Sequence, residues 1–354
     1  MCYSNVTDRD LMGQIATKLN DYRNPPQGGM SIDHVNRWIN QFELTDRRFV
    51  LEETDRLMGI GYFSESDYRR VISSIANDEQ NERFFQTAAF LDIQNQGTSQ
   101  SEFLDLLRED CVEEFNVVTR LSQRQRVSSF REFIYLDDVS FSGAKAINDL
   151  TWFIEHFELQ NITILVYFLG GHTYSAWKIK NQLERKFADR NISVCVGGGE
   201  FAVVENQRRN SSSSEVFWPK AQSVSIPEWA DGQVHYLGTY RDGYVANNFF
   251  PNEQRRDRFE AIMTKVGFDI LGQSQNPSDV IKPLGFSTFN GVGFGGTIFT
   301  FRNCPNNTPL AYWWGTYLRT GNRALDCWGN DSNLLIVFYV QIMPDDFVMQ
   351  LHRF

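Results

Sequence analysis

Apolar residues recur at helical spacing through the first quarter of the chain. Residues 1–24 follow this rhythm and stop at Asn24-Pro25-Pro26-Gln27-Gly28-Gly29, a string that breaks helices. Three more helical segments are predicted between 31 and 77. Val35, Trp38, Ile39 and Phe42 share one face, followed by Phe49, Leu57 and Met58, then Tyr68, Val71, Ile72 and Ile75. Ser64-x-x-Asp67 reads as a capping box for the third. The pattern thus gives a helical N-terminal region over 1–80, compatible with a winged-helix-like unit that binds DNA or with helices that decorate a larger domain.

The rhythm changes near residue 87. Ala88-Ala89-Phe90-Leu91-Asp92-Ile93 reads as a short buried strand or a helix end, and a helix is predicted from about 99 to 116. Next come a strand at 131–136, a loop at 137–143 and an amphipathic helix at 144–157 through Ile147, Leu150, Ile154 and Phe157. A strongly apolar strand at 162–169, a helix at 174–187 and a strand at 192–196 follow. Such alternation predicts an α/β domain over 81–354, with a parallel sheet flanked by helices. Asn206-Gln207-Arg208-Arg209-Asn210 and the four serines after it predict a mobile loop near 206–215. Beyond it, a helix at 252–266 and strands at 297–301 and 334–340 are readable, but their arrangement is not.

Composition narrows the classes. With 354 residues, 42% of them hydrophobic and 14% aromatic, the chain has room for a full core, which excludes a wholly disordered protein. A net charge of −10 opposes nonspecific attraction of the whole molecule to nucleic acid or anionic membrane. No apolar run of about 18 residues occurs. The start, MCYSNVTDRD, is too polar for a signal peptide, so the expectation is a soluble cytoplasmic protein with no membrane partner. Five dispersed cysteines without a C-x-x-C pair, and five dispersed histidines, predict reduced thiols and no protein-ligated transition metal. Gly291-x-Gly293-x-Gly295-Gly296 precedes a strand instead of opening a helix, so it is not a dinucleotide fingerprint.

The segment that carries chemistry is Phe133-Ile134-Tyr135-Leu136-Asp137-Asp138-Val139-Ser140-Phe141-Ser142-Gly143-Ala144. It joins an apolar strand, two adjacent carboxylates, a small-residue loop and a helix. In an α/β sheet the carboxyl end of a strand is where ligands bind. Loop amides and the helix N-terminus suit a phosphate, with Ser140 and Ser142 as further donors. Asp137 and Asp138 can accept hydrogen bonds from sugar hydroxyls, or help to order magnesium through water or ribose. His172, after Gly170-Gly171 at the end of an apolar strand, can face the same site or serve structure alone, and Gly197-Gly198-Gly199 reads as a loop at the same sheet edge.

This string resembles the phosphoribosyl-pyrophosphate loop of type I phosphoribosyltransferases. The resemblance implies that Asp137 and Asp138 contact ribose hydroxyls while Ser140, Phe141, Ser142, Gly143, Ala144 and Lys145 wrap the 5′-phosphate. Ser140, Phe141 and Lys145 depart from the usual loop pattern, and Lys145 adds a point charge. More widely, the chain resembles PRTase-CE, a divergent phosphoribosyltransferase-like branch of prokaryotic conflict systems. Leu91-Asp92-Ile93-Gln94-Asn95-Gln96-Gly97-Thr98-Ser99-Gln100 resembles its Gly-x-Ser segment, which implies a pyrophosphate loop at Gly97, Thr98 and Ser99. Phe249-Phe250-Pro251-Asn252-Glu253 with Arg255, Arg256, Arg258 and Glu260 resembles its basic helix, which implies substrate contacts from Arg255 and Arg256. Leu284-Gly285-Phe286, then Asn303-Cys304-Pro305-Asn306-Asn307-Thr308-Pro309-Leu310 and Trp313-Trp314, complete the likeness, with Asn306 and Asn307 as binding candidates. Tyr312, Trp313 and Trp314 can wall a pocket in which a base stacks.

The resemblance implies a phosphoribosyltransferase-type glycosyltransferase that uses magnesium and binds phosphoribosyl pyrophosphate or a related nucleotide. It further implies a role in anti-phage defence, as in retrons, beside a partner protein or a reverse transcriptase with its DNA product. The altered loop keeps two alternatives open: a non-catalytic nucleotide sensor, and a docking scaffold that retains the fold.

Overall fold

The computed structural model describes residues 3, 5–22, 29–77, 81–95, 99–110, 114–206, 212–238, 240–274 and 277–313. They form two compact units, one from the described parts of Met1–Glu65 and Val204–Phe354, the other from Ser66–Val203. The expected strand at 334–340 and Trp314 lie outside the described residues.

The first unit begins with α1 (Asp8–Lys18), α2 (Ile32–Ile39), α3 (Leu44–Gly61) and β1 (Tyr62–Phe63). Thr7 and Ser31 cap the first two helices, each side chain accepting from the backbone N–H three residues on. The second unit contains α4 (Glu65–Ala76), α5 (Glu82–Thr87), β2 (Ala89–Asp92), α6 (Ser99–Asp110), β3 (Asn116–Thr119) and α7 (Arg124–Val127). It continues with β4 (Glu132–Ser140), α8 (Ala144–His156), β5 (Ile162–His172), α9 (Thr173–Lys186) and β6 (Ile192–Val204). The chain then returns to the first unit through α10 (Glu253–Leu271), β7 (Phe299–Thr300) and α11 (Leu310–Trp313).

Five strands of the second unit form one sheet in the order β3-β2-β4-β5-β6, and β3–β2, β2–β4 and β4–β5 pair in parallel. Phe133 and Tyr135 on β4, with Ile164, Val166 and Phe168 on β5, pack against Leu150, Phe153 and Ile154 of α8 and Ile179 and Leu183 of α9. Tyr68 of α4 stacks on Phe103 of α6 at 5.4 Å and meets Phe201 of β6 at 4.8 Å. This is the α/β class that the alternation predicts.

Three elements differ from the sequence reading. β4 continues through Asp137 and Asp138 to Ser140, so the expected loop 137–143 shrinks to 141–143. Its polar end pairs with β5 at Asp137↔Phe168, Val139↔Gly170 and Ser140↔Gly171. Glycine is required at 171, where a Cβ would lie 2.0 Å from the Ser140 carbonyl oxygen. The helix expected to reach 116 ends at Asp110, and the short strand β3 follows. Gly197, Gly198 and Gly199 belong to β6 and not to a loop; a Cβ on Gly198 would strike the Phe168 carbonyl at 1.8 Å.

In the first unit, β1 pairs in parallel with β7, Tyr62↔Phe299 and Phe63↔Thr300. Trp38 donates to the Ala311 carbonyl at 2.7 Å and stacks on Tyr312 at 5.7 Å. A buried ion network organises the same unit. The Glu260 carboxylate accepts from Arg256 Nε at 2.8 Å, Arg241 Nη2 at 2.9 Å and the Trp218 amide at 2.9 Å. All three charged side chains are fully buried. Glu260→Gln removes the shared counter-charge from two buried guanidinium groups, and loss of one partner from such a pair costs about 3–5 kcal/mol. Urea unfolding followed by tryptophan fluorescence should show a destabilisation of that order.

Candidate functional site

The sheet order reverses between two of its strands. β2 leads to β3 on one side, whereas β4 leads to β5 and β6 on the other. The carboxyl ends of the strands at such a topological switch point are the usual ligand position in open α/β sheets. Gln94, just beyond β2, and Asp137, near the end of β4, lie there.

Four side chains close a polar ring at this edge of the sheet. Ser99 Oγ donates to Gln94 Oε1 at 2.9 Å, and Gln94 Nε2 donates to Asp137 Oδ2 at 3.0 Å. Lys145 Nζ then bridges Asp137 Oδ2 at 3.2 Å and Ser99 Oγ at 3.3 Å. Gln100 Oε1 accepts the amides of Ile93 and Gln94 at 2.8 and 3.2 Å and fixes the segment after β2 to the first turn of α6. Ser99, Asp137 and Lys145, named separately from the sequence, are thereby brought together. Gly97 and Thr98 lie outside the described residues.

Asp137 is 3% exposed. Burial pushes its carboxyl up, but the Lys145 charge and hydrogen bonds from Ser99 and Asp138 outweigh this and hold it below the ordinary carboxylate range. Its Oδ1 accepts the Asp138 amide at 3.0 Å, and Asp138 Oδ1 accepts the Val139 amide at 2.8 Å. Asp138 is buried too. With Asp137 oxygens engaged by an ammonium, an amide side chain and the main chain, direct magnesium coordination does not fit this donor set. Contact through water or ligand oxygens is what the expected indirect role requires.

The turn after β4 has a definite form. Phe141 is 2% exposed and anchors it in the core, so that residue offers a ligand only its main chain. Gly143 takes φ 71° at the N-cap of α8, the left-handed region that glycine enters without cost, and provides no side-chain cap. Ser142 Oγ lies 3.4 Å from the Ala144 amide. The N-terminus of α8 carries helix-dipole polarity suited to an anion. Ser140 is buried in the strand end.

The motif reading missed Tyr135 and Asp149. The Tyr135 hydroxyl donates to Asp149 Oδ2 at 3.0 Å and lies 3.4 Å from Asp137 Oδ2. Two spacings carried the signal: Tyr135 and Asp137 are two apart on a strand, and Lys145 and Asp149 are four apart on a helix, so each pair shares a face. Burial raises the Asp149 pKa to about 6, against lowering contributions from Tyr135, Lys145 and Arg120.

The remaining candidates have structural partners. Arg256, 1% exposed, also donates to the Ser214 carbonyl and hydroxyl and the Val216 carbonyl, at 2.8, 2.9 and 2.9 Å. Arg255 pairs with Glu52 at 2.9 Å and with Glu53, over the Phe49 ring. Asn307 Nδ2 donates to the Phe286 carbonyl at 2.8 Å, while the Asn306 carbonyl accepts the Phe286 amide at 2.7 Å. The string around Leu284-Gly285-Phe286 and the string around Asn306-Asn307 are thus two sides of one folded turn. Tyr312 is fully buried under Trp38, which corrects its expected place on a base-stacking wall. His172 is buried as the N-cap of α9, accepting the Tyr174 amide at 3.0 Å.

The Asp149 shift has a defined sign. A carboxyl whose folded pKa lies above its unfolded value contributes stability below the unfolded value and loses it as pH rises to about 6 and beyond. Asp149→Asn should therefore stabilise the protein by roughly 1–3 kcal/mol at pH 8 and leave it close to wild type at pH 4. Thermal melts at the two pH values test this.

No curated protein matches the chain. Among solved structures, a hypothetical protein from Neisseria gonorrhoeae with bound ppGpp aligns at TM-score 0.26 and 14% identity, over 41% of this chain and 88% of that one. The orotate phosphoribosyltransferase of Mycobacterium tuberculosis H37Rv, in complex with inorganic phosphate, aligns at TM-score 0.23 and 10% identity, over 54% of this chain and 95% of that one. The family model PRTase-CE matches residues 35–322, most of the chain, so the protein belongs to the PRTase-CE family.

Proposed function

We propose that the Ser66–Val203 unit binds a ligand carrying a ribose 5-phosphate, either phosphoribosyl pyrophosphate or a nucleotide, at the carboxyl ends of β2 and β4. The observation that carries this reading is the ring Ser99–Gln94–Asp137–Lys145 at the sheet's switch point, beside the N-terminus of α8, whose N-cap is a glycine. The 5′-phosphate would rest on the turn 141–143 and the N-terminus of α8, whose dipole favours an anion. Ribose hydroxyls would donate to Asp137. Magnesium would enter with the ligand's own phosphates, supplying charge neutralisation there.

As a transferase, the protein would act by positioning and charge compensation, since a ribosyl cation between anions calls for no covalent nucleophile. A second reading, binding without transfer, is favoured by the Lys145–Asp137 contact, which commits the carboxylate before any ligand arrives. In that case the protein is a nucleotide sensor. A place in anti-phage defence, beside a partner protein or a reverse transcriptase with its DNA product, is supported by family membership alone.

Isothermal titration calorimetry with phosphoribosyl pyrophosphate and ribose 5-phosphate should detect binding to the purified protein, and no heat at millimolar ligand would remove the reading. Mass spectrometry of the same mixture with a metabolite extract separates transfer from sensing by the presence of ribosylated products. Gly143→Val forces a β-branched residue into a left-handed φ, at about 1–3 kcal/mol of strain, and directs a side chain at Ile179. Binding should weaken more than tenfold while the circular dichroism spectrum retains its helical signal.

A further inference from the structure

The geometry points to a second property of the Asp137–Lys145 pair, which rests on the ligand reading given above. We propose that the pair is an internal occupant of two half-sites, each masking the other, and that it thereby selects ligands bearing both an anion and free sugar hydroxyls. Asp137 is nearly sequestered at 3% exposure, whereas the Lys145 side chain is 49% exposed. The ammonium is held at one end, by Asp137 Oδ2 and Ser99 Oγ at 3.2 and 3.3 Å, on the first turn of the helix that would receive the phosphate.

An anion without hydroxyls can draw Lys145 away only by leaving a buried carboxylate without its counter-charge, which costs more than an exposed pair returns. A neutral sugar must compete with an ammonium for the same oxygen. A ribose 5-phosphate does both exchanges at once: Lys145 turns from Asp137 to the phosphate, and a hydroxyl replaces it on Asp137. Gln94 stays as a fixed donor to the same carboxylate at 3.0 Å, so the exchange concerns Lys145 alone.

Removing one member of the pair should unmask the other's half-site. Asp137→Asn is isosteric and frees Lys145, so inorganic phosphate should bind roughly 5- to 10-fold more tightly than to wild type. Lys145→Met frees Asp137, so ribose should bind more tightly by a similar factor, while ribose 5-phosphate binds both variants more weakly than wild type. Calorimetric or competition titrations of the three ligands at pH 8, with circular dichroism on each variant, read this directly. Should Lys145→Met fail to fold, the Asp137→Asn arm decides by itself. Unchanged phosphate affinity in Asp137→Asn, with ribose 5-phosphate still bound by wild type, overturns the masking and leaves the site in place. Failure of wild type to bind ribose 5-phosphate at millimolar concentration overturns the site, and the masking with it.

Discussion

A carboxylate withdrawn from water must find a counter-charge and enough donors, or it neutralises or unfolds its surroundings. Asp137 stands under that constraint, and the arrangement of the second unit's carboxyl edge follows from it. Lys145 gives the charge from the first turn of α8, Gln94 reaches over from the end of β2, and Tyr135 approaches along β4. Strands that diverge at a switch point are tied across it by one buried anion.

The same logic recurs in the other unit with a different outcome. There Glu260 satisfies Arg241 and Arg256 with all three of these side chains fully buried, and Arg241 extends the network to the partly exposed Asp257, so it holds loops and helix α10 together. The contrast lies at the central anion: the two cations that face Glu260 are fully buried, whereas the ammonium that faces Asp137 is half in solvent.

Much of the α/β unit was legible because apolar strands and amphipathic helices alternate with clear periods; α8 and α9 fall where the pattern puts them. β4 extends past its expected end: Asp137 and Asp138 look like loop residues, whereas the ladder with β5 runs on to Ser140, where Gly171 allows the close approach. β3 was missed because four residues carry too little periodicity to stand against a preceding helix. Ser99, Asp137 and Lys145 were legible as motif residues, but their union through Gln94 required the sheet order. Arg255, Arg256, Asn306 and Asn307 were noticed as polar residues in distinctive strings. The structure gives Arg256 and Asn307 packing partners: a guanidinium that spans a loop or an amide that staples a turn is as exacting as a binding residue. Tyr135 and Asp149 could have been found by pairing strand and helix faces across the motif.

The most direct test is a crystal structure of the protein with ribose 5-phosphate. The account predicts the phosphate on the amides that open α8, with Lys145 Nζ turned from Asp137 to the phosphate and a ribose hydroxyl on Asp137 Oδ2. A ligand bound elsewhere, or bound at this turn with the Lys145–Asp137 contact intact, would contradict it.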